Sequence, residues 1–184
     1  LRDLCGLSRF FRRKVKVNFK GKRVTVVGLA RSGVAAARTL NALGAVVTVT
    51  DKKPADQLTA QIAALGSSAI RVEAGGHPDG IFIETDLIVL SPGVPKIPQV
   101  VAARQGGVKV ISELELAWLL SGSPFIGITG TNGKSTVTTL TGLMLQKAGK
   151  RVLVAGNIGN ALTEDIGLLR GRDWIVAELS SFQL

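Results

Sequence analysis

From Lys22 onward, short β-branched runs alternate with Ala/Leu-rich stretches of helical length. Parallel strands cannot be joined by a tight turn and need a crossover, usually a helix, so this alternation specifies βαβ units and a parallel sheet. Arg23–Val27 reads as the first strand, Ser32–Leu43 as a helix ended by Gly44, and Ala45–Thr50 as the second strand. A helix over Asp56–Leu65, stopped by Gly66, leads to a short strand at Ile70–Glu73 and a Gly/Pro loop. A strand at Asp86–Leu90 ends in Ser91-Pro92-Gly93. It is followed by a helix at Ile97–Arg104, a strand at Val108–Ile111 and a helix at Ser112–Leu120 that opens with a capping box from Ser112 to Glu115.

Dense punctuation at Ser121-Gly122-Ser123-Pro124 marks a domain boundary, after which the pattern restarts. The second unit holds strands at Phe125–Thr129, Arg151–Ala155 and Trp174–Glu178, with helices at Lys134–Ala148 and near Ala161–Leu169. The resulting division is an extension over 1–18, one domain over 19–121 and the first part of another over 122–184. Trp174–Glu178 is apolar on both faces and calls for neighbouring strands and covering helices, so the chain reads as the front part of a longer protein.

Composition removes several classes of function. The 184 residues carry a formal charge of +10, but residues 1–23 contain nine basic groups and one acid, leaving 14 basic against 12 acidic groups in the remainder. A nearly balanced body places function in specific sites and not in a long-range positive field, and no nucleic-acid surface is expected with aromatics at 4%. A single cysteine, Cys5, excludes an internal disulfide and fits a reducing cytoplasm. Apolar runs such as Leu87–Leu90 are far shorter than the roughly 20 residues of a membrane-spanning helix. His77, in the Gly/Pro loop, reads as solvent-exposed, and Trp118 and Trp174 read as core anchors.

The strongest chemical signal is Gly130-Thr131-Asn132-Gly133-Lys134-Ser135-Thr136, between an apolar strand and a helix. Glycines let the backbone wrap phosphate oxygens, the helix N-terminus supplies a positive field, Lys134 can neutralise β/γ charge, and the Ser135 hydroxyl can ligate Mg²⁺. The bland alternative is an ordinary glycine-rich turn, but lysine at a helix N-terminus opposes the macrodipole unless an anion sits there. Glu178, at the carboxyl end of a strand, is placed to hold Mg²⁺ directly or through water, or else marks a solvated strand end. Gly156-Asn157-Ile158-Gly159 lies at the same edge. In the first unit, Gly28-Leu29-Ala30-Arg31-Ser32-Gly33 with Asp51 after the next strand is a dinucleotide fingerprint whose second glycine is Ala30. That departure argues against tightly bound NAD. It leaves room for another nucleotide near Asp51, Ser32 and Gly33, or for glycines that serve packing alone.

With these motifs, and the terminal string Glu178-Leu179-Ser180-Ser181-Phe182-Gln183-Leu184, the chain resembles the Mur ligases of peptidoglycan synthesis, most closely their D-glutamate-adding branch. The resemblance covers about Lys20 to Leu184. It implies an α/β architecture: a Rossmann-like parallel-sheet domain that holds UDP, followed by the start of a P-loop ATPase domain. The implied cofactors are ATP and Mg²⁺, the implied substrates are UDP-N-acetylmuramoyl-L-alanine and D-glutamate, and a monomer is expected. Arg31, Ser32, Gly33 and Asp51 would face the uridine, with Lys52 and Lys53 beside them, and Ser91 and Gly93 would approach the pyrophosphate. Gly130 through Thr136 would bind ATP, and Ser135 and Glu178 the metal. Lys134 and Asn157 would serve catalysis, and Asn157, Ser180 and Gln183 would line the muramoyl side. The implied reaction is amide ligation through an acyl phosphate, which the 184 residues alone are not expected to complete. Another Mur ligase, a folylpolyglutamate synthase-like ligase and a non-catalytic nucleotide-binding module are the competing readings.

Overall fold

A computed structural model of the chain describes residues 17–156, 162–165 and 173–179. They form two parallel sheets. The first contains β1 (Arg23–Val27), β2 (Val46–Asp51), β3 (Arg71–Ala74), β4 (Leu87–Leu90) and β5 (Lys109–Ser112), in the order β3-β2-β1-β4-β5. Every pair is parallel, with Val24 opposite both Val47 and Leu87 at the centre. The helices are α1 (Arg31–Ala42), α2 (Thr59–Leu65, entered through a 3-10 turn at Ala55–Leu58), α3 (Gly80–Ile83), α4 (Pro98–Gln105) and α5 (Glu113–Ser121). Val24, Val26, Val47 and Val49 are buried with Leu29, Ala36, Leu40 and Leu116 in the main core. Both faces of the central strands are covered, which is why they read as continuous apolar runs.

The chain winds outward from β1 through β2 to β3 and then crosses back to place β4 on the other side of β1. Such a reversal opens a crevice at the carboxyl ends of the two diverging strands. Here it lies between Gly28 and Ser91, whose hydroxyl donates to the Gly28 carbonyl at 2.9 Å. The glycines at 28 and 33 meet a packing constraint. Gly28 has φ +93°, and a Cβ on Gly33 would stand 1.8 Å from the Gly28 carbonyl oxygen.

The second sheet contains β6 (Phe125–Ile128), β7 (Val152–Gly156) and β8 (Trp174–Glu178), with α6 (Lys134–Lys147) packed on it. Its order is β6-β8-β7, so β8 is the central strand, paired on both sides. The sequence leaves β8 in need of neighbours; the structure supplies them from β6 and β7, which accounts for the complete burial of Ile175, Val176 and Ala177. The helix expected near Ala161–Leu169 is a 3-10 turn at Leu162–Asp165 within the described residues. α3, a four-residue helix inside the Gly/Pro loop, has no sequence periodicity long enough to announce it.

α5 serves both units. Leu116 belongs to the five-stranded core, whereas Ala117 packs with Ala155, Leu162 and Ile175 of the second. Trp118 is 43% exposed and Trp174 is half-buried, so neither is the core anchor that the sequence proposed. At the start of α5, buried Glu113 accepts bonds from the Thr163 amide at 2.8 Å and the Thr163 hydroxyl at 2.6 Å. The Thr39 hydroxyl of α1 donates to the Thr163 carbonyl at 2.9 Å. Thr163 thus has its amide, hydroxyl and carbonyl tied to the first unit.

Two outcomes test this packing. Gly33→Ala is expected to cost about 1–3 kcal/mol or more in chemical denaturation. Gly80→Ala, whose Cβ would meet nothing within 4 Å, should leave stability unchanged or raise it by about 0.4–1 kcal/mol; equal losses would contradict the close approach. Burial raises the Glu113 carboxyl above its ordinary 4.5, so the folded state favours its protonated form. Its contribution is present below that value and lost as pH rises through the raised one. Wild type should therefore lose stability relative to Glu113→Gln over that window, and parallel pH–stability curves would contradict the burial argument.

Candidate functional site

The glycine-rich loop over 130–133 lies between β6 and α6. Gly130 has φ +151° and Gly133 φ +73°, conformations that favour glycine, and Gly133 caps α6 without a side-chain hydrogen bond. The first-turn amides of α6 therefore have no side-chain acceptor at the cap, which leaves a positive helix end facing the loop. Lys134 begins the helix, and its Nζ donates to the carbonyls of Gly130 at 2.8 Å and Thr131 at 3.2 Å. The ammonium group is thus held over the mouth of the loop. Thr131, Asn132 and Thr136 are exposed, within reach of a ligand from solvent.

β8 brings Glu178 to the same place. In register, Ile128 and Gly156 flank Glu178, and the Leu179 amide donates to the Ile128 carbonyl at 2.8 Å. Glu178 is only 6% exposed. Its Oε2 accepts a bond from the Ser135 hydroxyl at 2.8 Å, and no lysine or arginine among the described residues forms an ion pair with it. A buried carboxylate without a cationic partner is costly, and Mg²⁺ favours hard oxygen ligands of this kind. The donor set therefore fits that metal, and two residues separated by 43 positions meet as the sequence expects.

At the crevice of the first sheet, a cavity of about 200 Å³ is lined by Gly28, Ala30, Asp51, Lys52, Lys53, His77, Ser91 and Gly93 among others. Asp51 accepts from the Leu29 amide at 2.7 Å through Oδ2 and from the Lys53 amide at 2.9 Å through Oδ1. It shapes the two loops that bound the cavity. Ser32 is half-buried in the first turn of α1, Gly33 is buried by packing, and Gly93 turns with φ +81°. Arg31, expected toward the uridine, pairs with Glu164 of the second unit, with Nε and Nη2 both 3.2 Å from Oε2. Asn157, Ser180 and Gln183 lie outside the described residues.

His77 departs most from its expected place. It is half-buried, lines the cavity, and has its Nδ1 2.9 Å from the Thr50 hydroxyl. Desolvation lowers its pKa; Asp51 opposes the shift and Lys52 adds to it. The signal available in sequence was positional. Asp51 pairs with Ala74 on β3, so the residues after Ala74 emerge beside Asp51 at one sheet edge. Among the described residues, no helix is long and apolar enough to cross a membrane.

Residues 22–112 match the family model of the Mur ligase MurD-like N-terminal domain, and residues 128–184 match that of the Mur ligase middle domain. The UDP-N-acetylmuramoylalanine–D-glutamate ligase of Pelobacter propionicus is 50% identical over 164 residues, covering 89% of this chain and 37% of that protein. The ligase of the same name from Geobacillus sp. is 48% identical over 168 residues, again covering 37% of its length. That of Streptococcus pneumoniae is 46% identical over 173 residues, with 93% of this chain and 38% of the relative covered. Among solved structures, a pseudomurein peptide ligase type C from Methanothermus fervidus aligns at 24% identity and a TM-score of 0.45, over 89% of this chain and 34% of that one. The chain thus spans 37–38% of the length of these curated relatives. Two consecutive domain matches, over residues 22–112 and 128–184, make this chain a member of the Mur ligase family.

Proposed function

We propose that this chain serves an ATP-dependent amide ligase of the cytoplasm that adds D-glutamate to UDP-N-acetylmuramoyl-L-alanine in peptidoglycan biosynthesis. The observation that carries the reading is the bond from Ser135, beside Lys134 in the phosphate loop, to buried Glu178. Relatives bearing that ligase name, at 46–50% identity, support the substrate assignment. Residues 19–121 hold the UDP group in the cavity beside Asp51, with Ser91 and Gly93 toward the pyrophosphate. Residues 122–184 hold ATP through Gly130 to Thr136.

Ser135 and Glu178 would hold Mg²⁺, which would supply charge neutralisation at the triphosphate. The protein's own contribution is positional and electrostatic. Loop amides and the α6 N-terminus orient the triphosphate, and Lys134 exchanges the Gly130 and Thr131 carbonyls for phosphate oxygens as charge develops during transfer. The γ-phosphoryl group passes to a carboxylate oxygen of the alanyl substrate, giving an acyl phosphate and ADP. The amine of D-glutamate then attacks the acyl carbon, loses a proton, and phosphate leaves as the amide forms. Asn157, which follows β7, belongs on the muramoyl side in this reading.

Calorimetric titration tests the assignment. MgATP is expected to bind wild type, and Lys134→Ala should weaken it about 10- to 100-fold through the loss of charge-assisted phosphate bonds. UDP-N-acetylmuramoyl-L-alanine should bind both proteins equally. Glu178→Gln should lower affinity for MgATP while leaving metal-free ATP unaffected. Unchanged MgATP binding in Lys134→Ala would contradict the phosphate-loop assignment, and no binding of the UDP-sugar would contradict the substrate.

A further inference from the structure

We infer that His77 reads the nucleobase, its Nε2 accepting a hydrogen bond from the imide N3–H of uracil. The inference rests on the proposed uridine site and adds to it a residue that discriminates between bases. Its first ground is the hydrogen-bond chain behind the ring. The buried Thr50 hydroxyl lies 2.8 Å from the Gly76 carbonyl and 2.9 Å from His77 Nδ1. A hydroxyl has one hydrogen, and the carbonyl can only accept, so Thr50 donates to Gly76 and accepts from His77. Nδ1 therefore carries the proton, and in the neutral ring Nε2 is an acceptor.

The ring is also fixed in orientation. Buried Phe82 meets it edge-on, with centroids 6.5 Å apart and planes at 74°. Desolvation, with Lys52 adding to it, favours the neutral ring against the opposing pull of Asp51. Among the described residues nothing bonds Nε2. The third ground is complementarity. Uracil presents one donor, N3–H, between two carbonyl acceptors. Lys52 and Lys53 line the cavity as donors, and both Asp51 oxygens already hold loop amides. His77 supplies an acceptor whose preferred tautomer is set from behind.

His77 is the single histidine of the sequence, so its imidazole nitrogens can be observed without ambiguity by ¹⁵N NMR of the full chain. The expected spectrum at neutral pH shows the Nδ1–H tautomer, with the Nε2 resonance moving toward a hydrogen-bonded acceptor on addition of UDP but not of N3-methyl-UDP. In titration, His77→Asn, which keeps a donor near the Nδ1 position and removes Nε2, should weaken UDP about three- to tenfold and abolish the preference over N3-methyl-UDP. His77→Gln, with an acceptor near the Nε2 position, should keep that preference. A merely structural role predicts the reverse, with His77→Asn behaving as wild type. An Nε2–H tautomer, or UDP binding with the Nε2 resonance unmoved, would overturn the assignment and leave the uridine site standing. Failure of wild type to bind UDP would overturn the site and this inference together.

Discussion

Parallel pairing is the constraint on which the rest of this structure depends. Every strand of a parallel sheet points the same way, so every strand's carboxyl end opens at one edge, and any loop that follows a strand must begin there. In the five-stranded sheet this gathers Gly28, Asp51, His77 and Ser91 from four different strand ends around one cavity. In the three-stranded sheet it gathers the glycine loop after β6 and the terminal carboxylate of β8, with the end of β7 on the far side. Neither site needs a dedicated scaffold, because strand direction alone brings the groups together.

What strand direction does not do is relate the two sheets, and here the polar contacts of Thr163 matter. A buried carboxyl group is costly unless it is hydrogen-bonded, and Oε1 of Glu113 takes two donors from the second unit. Thr39 takes up the carbonyl of the same residue, and Arg31, at the first position of α1, pairs with Glu164 next to it. The helix that starts at the crevice of the first sheet is therefore in direct polar contact with the 3-10 turn between β7 and β8. The exposed Arg31–Glu164 pair contributes little by itself. Burial of Thr163 and Glu113 carries more, since breaking either bond leaves a polar group without solvent.

Local chemistry made much of this legible in sequence. The bounds of β1 and β8, the Ser112 cap that accepts the Glu115 amide at 3.1 Å, and the Gly133–Lys134 entry to α6 all follow from propensity and capping rules. The Ser135–Glu178 pair was legible because both residues lie where parallel topology puts ligands. Contacts that depend on how distant segments fold together were not legible. The partner of Arg31 lies 133 residues away, and nothing near Arg31 in the sequence marks that ion pair. The central place of β8 follows from strand order, which the chain order of strands does not reveal. In sequence His77 reads as part of a solvent-exposed loop because Gly75, Gly76 and Pro78 surround it, whereas the hydroxyl that orients it belongs to β2.

We propose that the strand-end loop of the second sheet is an ATP–metal site completed by Glu178. A crystal structure of the chain with MgATP or a non-hydrolysable analogue tests it most directly. The predicted result places the β/γ-phosphates on the amides of residues 130–135. Lys134 Nζ should leave the Gly130 and Thr131 carbonyls for phosphate oxygens, with the metal about 2.1 Å from Ser135 Oγ and joined to Glu178 directly or through water. Nucleotide bound elsewhere, or Lys134 and the Ser135–Glu178 bond unchanged in its presence, would contradict it.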